Sequence, residues 1–125
     1  MRYTVLWIAV AGACGTLARY GLAGVVHRWF GSGFPWATAV VNVIGCFLFG
    51  VVWAMAGDHG VIDQQLRAVI LVGFMGAFTT FSTFISETGD LLSASALPLA
   101  LANVALQLTA GIGVFFLGLA FGRIF

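Results

Sequence analysis

Charge is what this sequence has least of. Five basic and four acidic residues are spread over 125 positions, 7% of the chain against roughly 25% in soluble domains. With a formal net charge of +1 there is no polybasic patch to hold nucleic acid, which is not expected as a partner. The chain has two cysteines. Cys14 and Cys46 fall inside apolar runs without metal-ligand spacing, and read as small apolar fillers rather than as a disulfide or a metal site. Catalytic sets are missing as well. His27 and His59 stand near no Ser or Cys nucleophile motif, the four acids lie towards the edges of the apolar runs, and no HExxH, Walker or zinc pattern occurs. An enzyme is not expected.

What the sequence does have is apolar length. Hydrophobic residues make up 62% of it and its mean hydropathy is +1.10, the mark of an integral membrane protein. A chain of this length holds at most about four helical spans of roughly 20 residues. Runs such as 37–41 and 97–102 are continuously apolar, which excludes a barrel with its period-two alternation. Met1-Arg2 and Ala9-Val10-Ala11 mimic a secretory signal and its cleavage site. The apolar run continues past Cys14 and Arg19 at spanning length, so it reads as a first membrane helix.

The pattern predicts an all-α membrane protein, one domain over 1–125 with spans at 3–29, 36–55, 65–92 and 97–121. In the first span Gly12, Gly15, Gly21 and Gly24 would let another backbone approach closely, and His27-Arg28-Trp29 closes it as an interfacial cluster. Residues 31–35 form a turn, with Pro35 early in the second helix. That helix sets Thr38 and Asn42 one turn apart, with Gly45 near the same stripe, and has Trp36 and Trp53 as belt residues at its ends. The polar stretch 57–63 reads as a solvated connection. The fourth span has Pro98 in its first turn, the line Asn103, Gln107 and Gly111, and the small-xxx-small pair Gly118 and Gly122. Arg2, Arg67 and Arg123 on one side nearly balance Arg28 and Arg19 on the other, so the positive-inside bias permits insertion both ways.

Residues 73–84 interrupt the third span: Gly73-Phe74-Met75-Gly76-Ala77-Phe78-Thr79-Thr80-Phe81-Ser82-Thr83-Phe84. Two glycines followed by hydroxyl residues weaken a helix and compete for its backbone bonds, which predicts a break there. Freed backbone and hydroxyl groups at this depth need partners in protein or in a water-filled cavity. After the break, helical spacing sets Phe81, Phe84 and Thr88 on one face and Thr83 and Ser86 on the other.

Several of these residues admit two readings. Asn42 can donate two hydrogen bonds to an anion without adding charge, or it can tie helices together. Phe81 and Phe84 can offer positive ring edges to an anion, or simply pack. Arg19 can sit in an aqueous vestibule that concentrates anions, or snorkel to an interface. Glu87, the one acid within a span, is a mouth-lining or snorkelling acid, or the proton carrier of a small antiporter.

Gly15-Thr16-Leu17-Ala18-Arg19-Tyr20, the stretch from Thr38 through Asn42 to Gly45 with Phe47 and Gly50, and above all residues 73–84 together resemble the Fluc/CrcB family of small fluoride channels. The resemblance covers essentially the whole chain. It implies a homodimer of subunits inserted antiparallel (dual topology) in the bacterial plasma (inner) membrane, with two pores at the subunit interface exporting fluoride passively. It also implies a structural sodium ion on the dimer axis, held by the backbone carbonyls of Gly76 and Thr79. The pore residues it implies are Asn42, Phe81 and Phe84, with Thr38 as a hydroxyl neighbour and Arg19 in the vestibule. Family members commonly carry a small hydroxyl residue on the fourth helix where this chain has Gln107. The competing classes are a proton-coupled antiporter using Glu87 and a non-transporting membrane subunit.

Overall fold

The computed structural model describes residues 2–57 and 62–124. Most of the solvated connection expected over 57–63, with Asp58 and His59, lies outside the described residues. Helix α1 is Arg2–Phe30, α2 Trp36–Gly57 and α3 Gln64–Ala68. A π-helical segment, Val69–Met75, runs on into a single turn, α4 (Gly76–Phe78), followed by α5 (Phe81–Ser93) and α6 (Leu97–Gly122). From α3 to α5 these pieces form one broken span, Gln64–Ser93, and with α1, α2 and α6 they make four helices long and apolar enough to cross a membrane. No strand occurs among the described residues. Helices cover the four expected stretches and run one or two residues past their ends.

Local signals set the helix ends. Gly31, at φ 70°, closes α1 with its N–H on the His27 carbonyl at 2.9 Å, the left-handed cap that glycine adopts without strain. Pro35 stands just before α2 rather than inside it, and its carbonyl accepts the Ala39 N–H at 3.1 Å. Asp63 caps α3 by accepting the Leu66 N–H at 2.7 Å. Pro98 occupies the first turn of α6, where its missing N–H would have no helical partner.

Glycines fix which helices touch. A methyl group on Gly50 would overlap the Phe115 carbonyl, one on Gly118 would overlap the Phe47 carbonyl, and one on Gly122 would stand 2.6 Å from the Val51 carbonyl oxygen. Helices α2 and α6 are therefore in backbone contact, as the pair Gly118 and Gly122 predicts. Helix α1 in turn meets the π-helical segment: Gly15 lies under the Phe74 carbonyl, and a methyl group on Gly73 would be 2.9 Å from the Ile8 carbonyl oxygen. The expectation for α1 holds only in part. Gly21 and Gly24 face open space, so only its first half is packed through glycine.

Val41, Met75 and Phe78 form the buried centre, with Leu22, Ala23, Phe74 and Phe49 packed around it. Phe74 and Phe78 stack at 5.7 Å and 13°. Directly after Phe78 the helix of the third span is interrupted.

Candidate functional site

The break is two residues long. Thr79 (φ −83°, ψ 159°) and Thr80 (φ −150°, ψ 112°) are extended, and the helix resumes at Phe81 with Thr80 as its N-cap, its hydroxyl accepting the Thr83 N–H at 3.3 Å. Thr79 turns back on the preceding turn, its N–H and its hydroxyl both donating to the Met75 carbonyl, at 3.0 and 2.9 Å. The Thr80 N–H goes to Oδ1 of Asn42 at 2.9 Å, and Nδ2 of Asn42 donates to the Thr80 carbonyl at 3.1 Å. In a continuous helix the N–H groups of Thr80 and Thr83 would have bonded the carbonyls of Gly76 and Thr79. Both are diverted, which frees those two carbonyls.

Asn42 is thus positioned from two sides. Its stripe on α2 faces the break because Gly45, one turn on, has no side chain. A methyl group there would collide with Cγ2 of Thr79. The second Nδ2 hydrogen of Asn42 goes to Oε1 of Gln107 on α6 at 2.8 Å. From there a chain of amides leads away. Nε2 of Gln107 donates to Oδ1 of Asn103 at 2.8 Å, Nδ2 of Asn103 to the Thr88 hydroxyl at 3.0 Å, and that hydroxyl to the Phe84 carbonyl at 2.7 Å. Asn103 is 0% exposed and Gln107 8%, as buried amides with satisfied partners are.

A cleft of about 610 Å³ opens against this arrangement, its volume within the range of a ligand pocket. The break and the starts of α5 line one side through Thr79, Thr80, Phe81 and Phe84. Helix α2 contributes Asn42, Gly45 and Cys46, and α6 contributes Gln107, Gly111 and Phe116. The two phenylalanines are not equivalent. Phe81 is 72% exposed and Phe84 5%, with ring centroids 5.8 Å apart at 50°. The arrangement is a mainly apolar cleft with neutral donors at its back and a ring free to present an edge, which can hold a small anion weakly and release it.

The structure brings together Asn42, Thr79, Phe81 and Phe84. Gly76 lies one turn below, in α4. Thr38 and Arg19 are not among the cleft residues. Buried Thr38 donates its hydroxyl to Oε1 of Glu87 at 2.7 Å, while Oε2 of Glu87 is buried without a partner among the described residues. Glu87 therefore does not snorkel. Nearly two helical turns before its end, α5 still lies near α2, and the bond to Thr38 draws the carboxylate inward. Arg19 is half-buried on the packed stripe of α1, between Gly15 and Val26 at helical spacing. Sequence reasoning marked Asn103 and Gln107 as a polar line but assigned them no part in the site, and missed Thr88 as their terminus. Their i, i+4 spacing was the available signal. That the line meets Asn42 depends on the contact between α2 and α6.

Residues 6–119 match a family described as CrcB-like protein, Camphor Resistance (CrcB). Among curated relatives, a protein of Solidesulfovibrio magneticus is 53% identical over 94% of both chains. One of Nitrosococcus oceani is 48% identical over 94% of both, and one of Desulforapulum autotrophicum is 44% identical over 99% of both. Each is named fluoride-specific ion channel FluC. With four spanning helices and relatives of this kind, the chain is an integral, multi-pass membrane protein and not an enzyme.

Proposed function

The chain belongs to the CrcB family, and from that premise we propose that it is a fluoride-selective channel that lets fluoride leave the cell down its electrochemical gradient. The observation that carries this reading is full-length kinship at up to 53% identity with proteins named fluoride-specific ion channels. The cleft supports it, since neutral donors and an exposed phenylalanine edge suit an ion that must bind and depart. A proton-coupled antiporter finds no support in this kinship.

The conducting unit is a homodimer of antiparallel subunits in the inner membrane, with two pores at the interface. A four-helix bundle this small keeps little interior for an aqueous path, and its cleft opens outward. Asn42, Phe81 and Phe84 line the pore, Thr38 supports its hydroxyl lining, and Arg19 draws anions into the vestibule through its charge. Sodium is the structural ion. The carbonyls of Gly76 and Thr79, freed from helical bonding, suit it, because uncharged oxygen donors match a monovalent cation. Bound there, sodium would supply a fixed positive charge beside the broken spans.

Purified protein in liposomes decides the matter. Under a fluoride gradient with a potassium shunt, an ion-selective electrode should register rapid fluoride release and hardly any chloride release. Absence of fluoride release from dimeric protein would refute the reading.

A further inference from the structure

Arg67 lies about 5 Å along the third span from its start at Gln64, at the depth where lipid headgroups meet hydrocarbon. Its guanidinium carbon stands 4.1 Å over the centre of the Trp53 ring, and Trp53 is near the end of α2, so both mark the same membrane edge. Stacking of this kind uses the flat face of the guanidinium and leaves its in-plane N–H groups free. Among the described residues no acceptor takes them. Asp63, one turn earlier, spends Oδ1 on the Leu66 N–H as the cap of α3. The cation therefore stands at a lipid boundary with its donors unspent.

A groove of about 380 Å³ lies beside it. Gln64, Arg67 and Trp53 line the groove at the membrane edge, and Leu71, Val72 and Phe49 line it one turn deeper. Phe49 stacks on Trp53 at 6.0 Å and 19°, which makes one wall a continuous aromatic surface. Val72 is 66% exposed, so the deeper part is open to its surroundings. Polar groups at headgroup level with apolar groups below follow the order of a phospholipid molecule. We propose that the groove binds an anionic phospholipid of the phosphatidylglycerol type, with the phosphodiester on Arg67 and Gln64 and the start of one acyl chain along Leu71, Val72 and Phe49. The proposal is independent of the channel reading above.

Charge selects the headgroup. A guanidinium meets a phosphate through two parallel N–H bonds, and a basic residue at the membrane surface is drawn to anionic lipid. Trp53 holds the guanidinium in place, which lowers the cost of ordering it when the lipid arrives. A zwitterionic headgroup would bring an ammonium beside the same cation, and no acid is among the groove residues to receive it. A glycerol headgroup brings hydroxyls instead, which the carboxamide of Gln64 can both donate to and accept from. Each subunit has one such groove, so one lipid binds per subunit. Phe49 also lines the cleft, so the bound chain ends beside it.

Native mass spectrometry of the delipidated protein in detergent, titrated with phosphatidylglycerol or with phosphatidylcholine of the same chains, tests this. Phosphatidylglycerol should bind at one per subunit and about tenfold more tightly than phosphatidylcholine, the worth of a hydrogen bond to a charged group. Arg67→Gln should bring the two lipids level, and Trp53→Leu should weaken phosphatidylglycerol alone. A second measurement needs no variant: phosphatidylglycerol should raise the thermal midpoint of the wild type more than phosphatidylcholine does, while glycerophosphoglycerol, the same headgroup without chains, should leave it unchanged. Equal binding of the two lipids, or full retention of phosphatidylglycerol by Arg67→Gln, overturns the proposal. A thermal shift from glycerophosphoglycerol as large as that from the lipid makes the ligand a free phosphodiester and overturns it as well. A dimer that binds no lipid has this face covered by its second subunit, with the same result. Fluoride release decides the channel reading separately, whichever of these is found.

Discussion

Asn42 and Thr80 bond each other twice, side-chain amide to backbone amide, at 2.9 and 3.1 Å. The carboxamide takes both the donor and the acceptor of a residue that has left its helix. In a membrane span such groups have no water to turn to. Asn42 is therefore the condition for the break, whatever else it does for an ion.

Replacing Asn42 with Ala should accordingly damage two properties at once. Leaving the Thr80 backbone unpaired costs about 1–3 kcal/mol, so the thermal midpoint in detergent should fall together with fluoride flux. Asn42→Asp keeps an acceptor for the Thr80 N–H and loses both donors. It should recover part of the stability and none of the flux. If Asn42→Ala melts like the wild type, the break does not depend on this pair.

The phenylalanines separate packing from conduction by their exposure. Phe81→Ile should leave the melting temperature unchanged, since the ring is 72% exposed, yet cut fluoride flux by about tenfold, equivalent to roughly 1.4 kcal/mol of barrier. Phe84→Ile should reduce both, because that ring is buried. Phe116 lines the same cleft and is no neutral control. Trp7→Ile, on the exposed face of α1, serves instead. Flux loss in Phe81→Ile no greater than in Trp7→Ile would return Phe81 to packing.

Glycine substitutions should sort by what their new methyl group meets. Gly118→Ala drives a methyl group into the Phe47 carbonyl, and overpacking of this kind costs about 1–3 kcal/mol. Gly21→Ala and Gly24→Ala meet nothing within 4 Å and should be neutral or stabilising by up to about 1 kcal/mol. Thermal unfolding of the three variants in one detergent tests the order.

Removal of sodium should act on the dimer. Protein purified with N-methyl-D-glucamine as the only cation should lose fluoride flux and melt at a lower temperature, and added sodium should restore both. Unchanged flux and melting in its prolonged absence would remove sodium from the carbonyls of Gly76 and Thr79.

Much was legible in the chain because membrane solvent imposes simple rules. Apolar runs at spanning length gave the four helices. Two glycines before Thr79-Thr80 marked the break, since weak helix formers and competing hydroxyls sit there together. Gly118 and Gly122 marked a close helix pair. Gly21 and Gly24 look the same in sequence and do nothing of the kind, because a small residue permits an approach without saying that a neighbour will make it.

By itself, then, the sequence determined what each residue could offer: which segments span, where the third loses its helix, and which neutral donors lie at mid-depth. Only the tertiary structure decided who receives those donors. Hydrogen bonds depend on distances between residues far apart in the chain. The approach of α6 to α2 through Gly50, Gly118 and Gly122 places Gln107 against Asn42, and the missing side chain of Gly45 admits Thr79. No periodicity within one helix encodes that meeting.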